Sequence, residues 1–106
     1  MDGYVSIYCT FPEMAFAKAL ATELLEKKLI ACANFFQSEA LYEWDGKMES
    51  AQEVVAFFKT REALFEEVRA GICAKHPYKV PCVVALPIGQ GHLPYLDWVK
   101  TVTKNV

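Results

Sequence analysis

Two hydrophobic periods alternate along the chain. Tyr4-Val5-Ser6-Ile7-Tyr8-Cys9-Thr10 is rich in β-branched and aromatic residues and runs up against Pro12, which predicts a strand, and a central one. Beyond Pro12 the period lengthens. Phe16, Leu20 and Leu24 recur at i, i+4 and i+8 with Ala17, Ala21 and Leu25 beside them and Lys18, Thr22 and Glu26 opposite, predicting an amphipathic helix of about four turns with one stripe packed on a sheet. From Leu29 to Trp44 the pattern becomes extended again, with a bend expected near Gln37-Ser38. Asp45-Gly46 then supplies a tight hairpin turn, because glycine accepts positive φ at little cost. A second long strand is expected from Met48 to Thr60. Its Val54 to Phe58 centre is continuously apolar, so both faces must be covered, one by helices and the other, in so small a domain, by another subunit.

Leu64, Val68 and Ile72 again recur at i, i+4 and i+8, joined by Phe65, with Glu62, Glu66 and Glu67 turned outward, so a second helix is expected from about Arg61 to Lys75, stopped by Pro77. Val80 to Ile88 reads as a fourth strand and Gly89-Gln90-Gly91-His92 as a loop. Pro94 opens a terminal helix carrying Tyr95, Leu96, Trp98, Val99 and Val102. This order predicts an α+β fold of the ferredoxin-like split βαβ type: an antiparallel sheet with two helices on one face and an extra C-terminal helix. Right-handed crossovers put strands one and three in its middle. The other face carries apolar side chains from Val54 to Phe58 and from Cys82 to Leu86. Covering even ~600 Å² of it contributes on the order of 15 kcal/mol before the association penalty, so an obligate oligomer is expected, built face to face or through the long hairpin.

Composition narrows the class. A chain of 106 residues is read as one domain, 1–106. Its apolar fraction of 54% exceeds the roughly 45–50% of average soluble proteins, which agrees with buried subunit contacts. Eleven basic against thirteen acidic residues give a net charge of -2, and the longest basic cluster is Lys27-Lys28, so neither nucleic acid nor an anionic membrane is expected as partner. The apolar run Tyr4 to Phe11 lacks the length and flanks of a signal peptide, and no run approaches the ~20 residues of a membrane span; the expected compartment is the cytoplasm. Four cysteines without a CxxC pair argue against structural zinc and for small buried apolar side chains.

The stretch with most chemistry is His76-Pro77-Tyr78-Lys79-Val80-Pro81, where an imidazole, a phenol and an ammonium sit on a connector that can be neither helix nor central strand. Cys9 is its one arguable partner, because strand one should lie beside strand four. No third group that would orient the imidazole can be named, so the chain is not read as an enzyme. As metal ligands a thiolate and an imidazole suit copper or zinc, with further donors from water, Glu49, Glu53 or a neighbouring subunit. The competing reading is structural: Cys9 as a buried strand residue and His76 as a helix C-terminal residue near the negative end of the dipole. His92 reads as a solvated surface residue. Tyr42, Trp44, Lys59, Tyr78, Tyr95 and Trp98 are polar-tipped residues on apolar elements, fit for an interface or for an aromatic pocket with one ammonium.

Six spaced signatures then converge: Cys9-Thr10-x-Pro12, Leu24-Leu25-Glu26-Lys27-Lys28-Leu29-Ile30-Ala31-Cys32-Ala33-Asn34, Tyr42-x-Trp44-x-Gly46-Lys47, Phe58-Lys59-Thr60, His76-Pro77-Tyr78-x-Val80-Pro81 and Tyr95-Leu96-x-Trp98. In this order, over nearly the whole chain, they resemble the CutA family of divalent-cation tolerance proteins. The resemblance implies a ferredoxin-like homotrimer packed around a three-fold axis, an association with divalent cations and copper binding, and a trimer architecture similar to that of PII-like signalling proteins. It carries the metal assignment onto Cys9 and His76. In some relatives a second histidine directly precedes the matched one; here that position is Lys75, whose protonated ammonium offers a metal no lone pair. Two function classes follow. One is a trimeric protein binding copper or another divalent metal ion. The other is a PII-like signalling or interaction module that binds a small ligand in intersubunit clefts near Trp44, Lys59, Tyr78, Tyr95 and Trp98, with no physiological metal role.

Overall fold

The computed structural model describes residues 3–105. The elements run β1 (Tyr4–Phe11), α1 (Met14–Glu26), β2 (Cys32–Trp44), β3 (Lys47–Arg61), α2 (Phe65–Lys75), β4 (Val83–Ile88) and α3 (Leu93–Val102), with a single 3-10 turn at Glu62–Leu64 before α2. The strands form one antiparallel sheet in the order β2-β3-β1-β4, which puts β1 and β3 in the middle as the crossover rule requires. The α+β split βαβ arrangement is therefore the observed fold.

Side chains alternate across the sheet. Val5, Ile7, Cys9 and Phe11 of β1 and Val54, Ala56 and Phe58 of β3 point to the helix layer, where they join Ala17, Leu20, Ala21 and Leu24 of α1 and Val68 and Ile72 of α2 in one core. The opposite face carries Tyr8, Phe57 and Phe36 as an edge-to-face ladder across β1, β3 and β2, with centroid separations of 5.5 and 5.9 Å. Phe36 is 54% exposed there, and Val84 and Leu86 of β4 are 45% exposed. α3 covers only one end of this open face, where Arg61 donates from Nε to Thr103 Oγ1 at 3.2 Å and from Nη2 to the Lys104 carbonyl.

Several features differ from the sequence reading, and β2 starts at Cys32 rather than Leu29. β2 has no bend at Gln37-Ser38, because those residues pair with Val54 and Glu53 of β3 and the ladder continues unbroken to Trp44 opposite Lys47. α2 starts at Phe65 rather than near Arg61, since Arg61 is still paired with Tyr4 in the sheet. β4 begins at Val83, after Pro81, whose ring nitrogen has no hydrogen to donate to a ladder. The hairpin turn is as expected: Asp45 and Gly46 have φ of 53° and 76°, the left-handed pair of a two-residue turn. No helix among the described residues is long and apolar enough to cross a membrane.

Candidate functional site

The end of β1 organises the site. Cys9 points into the core and is fully buried, and its Sγ lies 3.8 Å from the Thr10 carbonyl oxygen. His76 follows the last turn of α2 in extended geometry (φ -69°, ψ 137°), the conformation that Pro77 imposes on the residue before it. This swings its ring onto Phe11, stacked at 4.8 Å, and brings Nε2 to 2.7 Å from the same Thr10 oxygen. Cys9 and His76, four elements apart in sequence, thus approach one carbonyl.

The hydrogen bonds settle the imidazole's tautomer. The Tyr78 backbone N–H donates to His76 Nδ1 at 3.1 Å, so Nδ1 carries the lone pair and Nε2 carries the proton given to Thr10. Both ring nitrogens are committed. Burial, reinforced by Cys82 and Cys73, pushes the Cys9 thiol up to about 12, so it is a neutral thiol rather than a thiolate ligand. Among the described residues no group of three or more His, Cys, Asp or Glu side chains is placed to hold a metal ion. As arranged in one chain, these residues do not fit a resident copper or zinc ion.

From His76 the chain runs along the rim of a cleft of about 680 Å³ on the open face. Its walls are Tyr8 and Thr10 of β1, Ala40, Leu41, Tyr42 and Trp44 of β2, Glu53 of β3, and Pro77, Tyr78, Lys79, Val80 and Cys82 of the connector. Glu53 is only 9% exposed and accepts a 2.7 Å hydrogen bond on Oε2 from the Tyr78 phenol. Burial first, then that carboxylate, raises the Tyr78 phenol well above its ordinary range, so it stays a donor. Cys82 is raised for the same two reasons.

Of the residues expected in one pocket, Trp44 and Tyr78 both line this cleft, whereas Lys59, Tyr95 and Trp98 form a second group. Lys59 Nζ donates to Asn34 Oδ1 at 2.9 Å and lies 5.9 Å from the Tyr95 ring centroid; Tyr95 stands 5.7 Å from Trp98 and touches Cys32 Sγ through its hydroxyl at 3.4 Å. Burial, then the Cys32 contact, pushes the Tyr95 phenol up to about 12. Glu53 and Lys59 lie six positions apart on β3, roughly 20 Å at the ordinary rise of a strand. Within one chain the two groups are opposite ends of one face. Lys75 belongs to neither. Its ammonium pairs with Glu23 across α1 and α2, on the helix side, and holds that carboxyl below its ordinary range.

The residue that carries most weight and was only a spare ligand in the sequence reading is Glu53. Its signal is present in the sequence: an acid directly before the apolar run Val54 to Phe58 has to be buried by its neighbours and so has to find a partner.

A family described as CutA1 divalent ion tolerance protein matches residues 5–102. The chain is similar to the divalent-cation tolerance protein CutA of Archaeoglobus fulgidus, 44% identical over 88% of this chain and 91% of that one. It is 40% identical to a chloroplastic CutA protein of Arabidopsis thaliana over 95% of this chain, which spans 56% of that relative's length. Among solved structures, the periplasmic divalent cation tolerance protein CutA from Archaeoglobus fulgidus superposes with a TM-score of 0.92 at 40% identity, covering 98% of this chain and all of the other.

Proposed function

The chain belongs to the CutA1 divalent ion tolerance family, and from that premise we propose that it is a homotrimer that serves in tolerance of copper or a similar divalent cation. The observation that carries the reading is the open face, where Phe36, Val84 and Leu86 are about half exposed beside the Tyr8–Phe57 ladder. A heterologous contact closed by a three-fold axis covers such a face in every copy at once. The residues proposed to meet the cation are Cys9 and His76, which share the Thr10 carbonyl. In the assembled protein Cys9 and His76 would offer such a cation a sulfur and an imidazole nitrogen, with the remaining donors coming from a neighbouring copy or water. We read the chain as non-catalytic, because the one nucleophile and base pair singled out in the sequence, Cys9 with His76, has a buried neutral thiol.

A second reading is favoured by the cleft itself: a PII-like module that binds a small ligand where subunits meet. The separation of Trp44 and Tyr78 from Lys59, Tyr95 and Trp98 supports an intersubunit site, since a head-to-tail trimer places one end of the face beside the other end of its neighbour's. A cytoplasmic site of action is part of the proposal, supported by four cysteines that all remain unpaired.

Mass measurement in solution and copper titration test the first reading together. The expected result is a trimer whose copper(I) or copper(II) affinity falls in a Cys9→Ser/His76→Ala double variant. Equal affinity in both proteins removes the pair from the metal reading, and a monomeric mass removes the trimer.

A further inference from the structure

The open face of the sheet carries opposite charges at the two limits of its apolar band. Glu53, Val55, Phe57 and Lys59 of β3 share that face, because Val54, Ala56 and Phe58 between them point into the core. Glu53 stands at one limit and Lys59 at the other, and Phe36 and Tyr8 on the neighbouring strands lie level with Val55 and Phe57. Among the described residues neither charge is in an ion pair. Glu53 accepts from the Tyr78 phenol at 2.7 Å, and Lys59 Nζ donates to Asn34 Oδ1 at 2.9 Å beside the Tyr95 ring. Each has a neutral partner and capacity for a further one.

We propose that these two ends meet across the subunit contact, the Lys59 ammonium of one copy pairing with the Glu53 carboxylate of the next. The inference rests on the proposed burial of the open face between copies and adds the direction of that contact and the residues that fix it. When the band is buried, both charges lose water, and a desolvated charge without a counter-charge is costly. Contact between like ends sets ammonium against ammonium or carboxylate against carboxylate. Contact between unlike ends cancels both, and a ring closed by a three-fold axis repeats it at every boundary. The hydrogen bonds already made within each chain favour the pair. A buried ion pair recovers its desolvation cost only where further hydrogen bonds hold its members, and Tyr78 and Asn34 supply one each. Arg61, the next cation along this face, is held within its own chain by Thr103 and the Lys104 carbonyl. The pair makes the site composite: Glu53, Tyr78 and Trp44 come from one copy, and Lys59, Tyr95 and Trp98 from its neighbour.

Dissociation of the assembly on dilution, followed by sedimentation, tests the pair through a double-mutant cycle. Glu53→Gln and Lys59→Gln each remove a charge while keeping an acceptor for Tyr78 and a donor for Asn34. Each is expected to raise the dissociation constant of the trimer about tenfold or more, and the double variant to be no weaker than the weaker single. Zero-length carbodiimide coupling of the wild-type protein keeps the pair testable if a variant fails to fold. Glu53 and Lys59 of one chain are roughly 20 Å apart along β3, so an amide between them, found by peptide mass, joins two copies. Losses that add in the double variant, or the absence of that amide from a wild-type trimer, overturn the pair and leave the trimer standing. A monomeric wild type overturns both.

Discussion

Thr10 is a residue whose side chain does little and whose carbonyl decides much. By accepting from His76 Nε2 at 2.7 Å it holds the imidazole in one tautomer, and the Tyr78 N–H takes the other nitrogen. Cys9 behind it is shielded by the core. A thiol whose ionisation in the folded state lies at about 12, against an ordinary 9.0, binds a proton that the unfolded chain gives up sooner. Between those values the unfolded state therefore holds fewer protons, and stability falls with rising pH by up to about 1.4 kcal/mol per pH unit. The stabilising contribution is complete below pH 9 and is lost on the way to 12. Cys9→Ala should lower stability at pH 7 through the lost packing, yet flatten the decline of the midpoint in denaturant between pH 9 and 11. A decline of equal slope in the two proteins would show that Cys9 ionises freely in the folded state. At pH 8, alkylation should mark Cys73 and Cys82, which are exposed, and spare Cys9.

At the scale of elements the β2–β3 hairpin is the feature that builds the cleft, because it carries Tyr42 and Trp44 out beyond the helix layer. Residues 41–50 are exposed throughout, so little but the ladder and the turn hold that end. Gly46 at φ 76° sits where a β-branched side chain costs about 1–2 kcal/mol. Gly46→Val is expected to raise amide exchange at 41–50 while the exchange of β1 and α1 stays near wild type, since the strain falls on a segment that can open by itself. Uniform acceleration across the sheet would mean that the hairpin opens only with the whole fold. The hairpin was legible in Asp45-Gly46 and the two middle strands in their apolar runs, because turn chemistry and period are local signals. The unbroken course of β2 was not. Gln37-Ser38-Glu39 has the polarity of a bend, and only pairing with Gln52, Glu53 and Val54 across the hairpin keeps it straight. Likewise Trp44, Lys59, Tyr78, Tyr95 and Trp98 could be singled out as candidates by type, but their division between two ends of one face depends on register, which polarity alone does not fix. That Cys9 and His76 fall in one region, on either side of the Thr10 carbonyl, was legible because it needed only the neighbouring of β1 and β4.

The whole molecule presents two surfaces of unequal character. The helix layer is closed over by charged side chains, with Lys75 and Lys27 both on Glu23 and Arg69 on Glu66. Such exposed pairs contribute little to stability but keep that side wet. The sheet layer offers an aromatic ladder with the half-exposed Val84 and Leu86 beside it. A pair of substitutions matched for exposure separates the two. Leu86 on the open face is 45% exposed and Leu25 on α1 is 42% exposed, so in an isolated chain Leu86→Glu and Leu25→Glu should each change stability by no more than about 0.5 kcal/mol. If the open face is the subunit contact, they part company. Leu86→Glu buries an unpaired carboxylate in every copy of the interface, a cost that disfavours association outright. Sedimentation and thermal melting at several protein concentrations should then show a smaller, concentration-sensitive species for Leu86→Glu and an unaltered assembly for Leu25→Glu. Identical masses and melting points for both variants would place the subunit contact elsewhere and leave the hairpin, rather than the face, as the element that joins the copies.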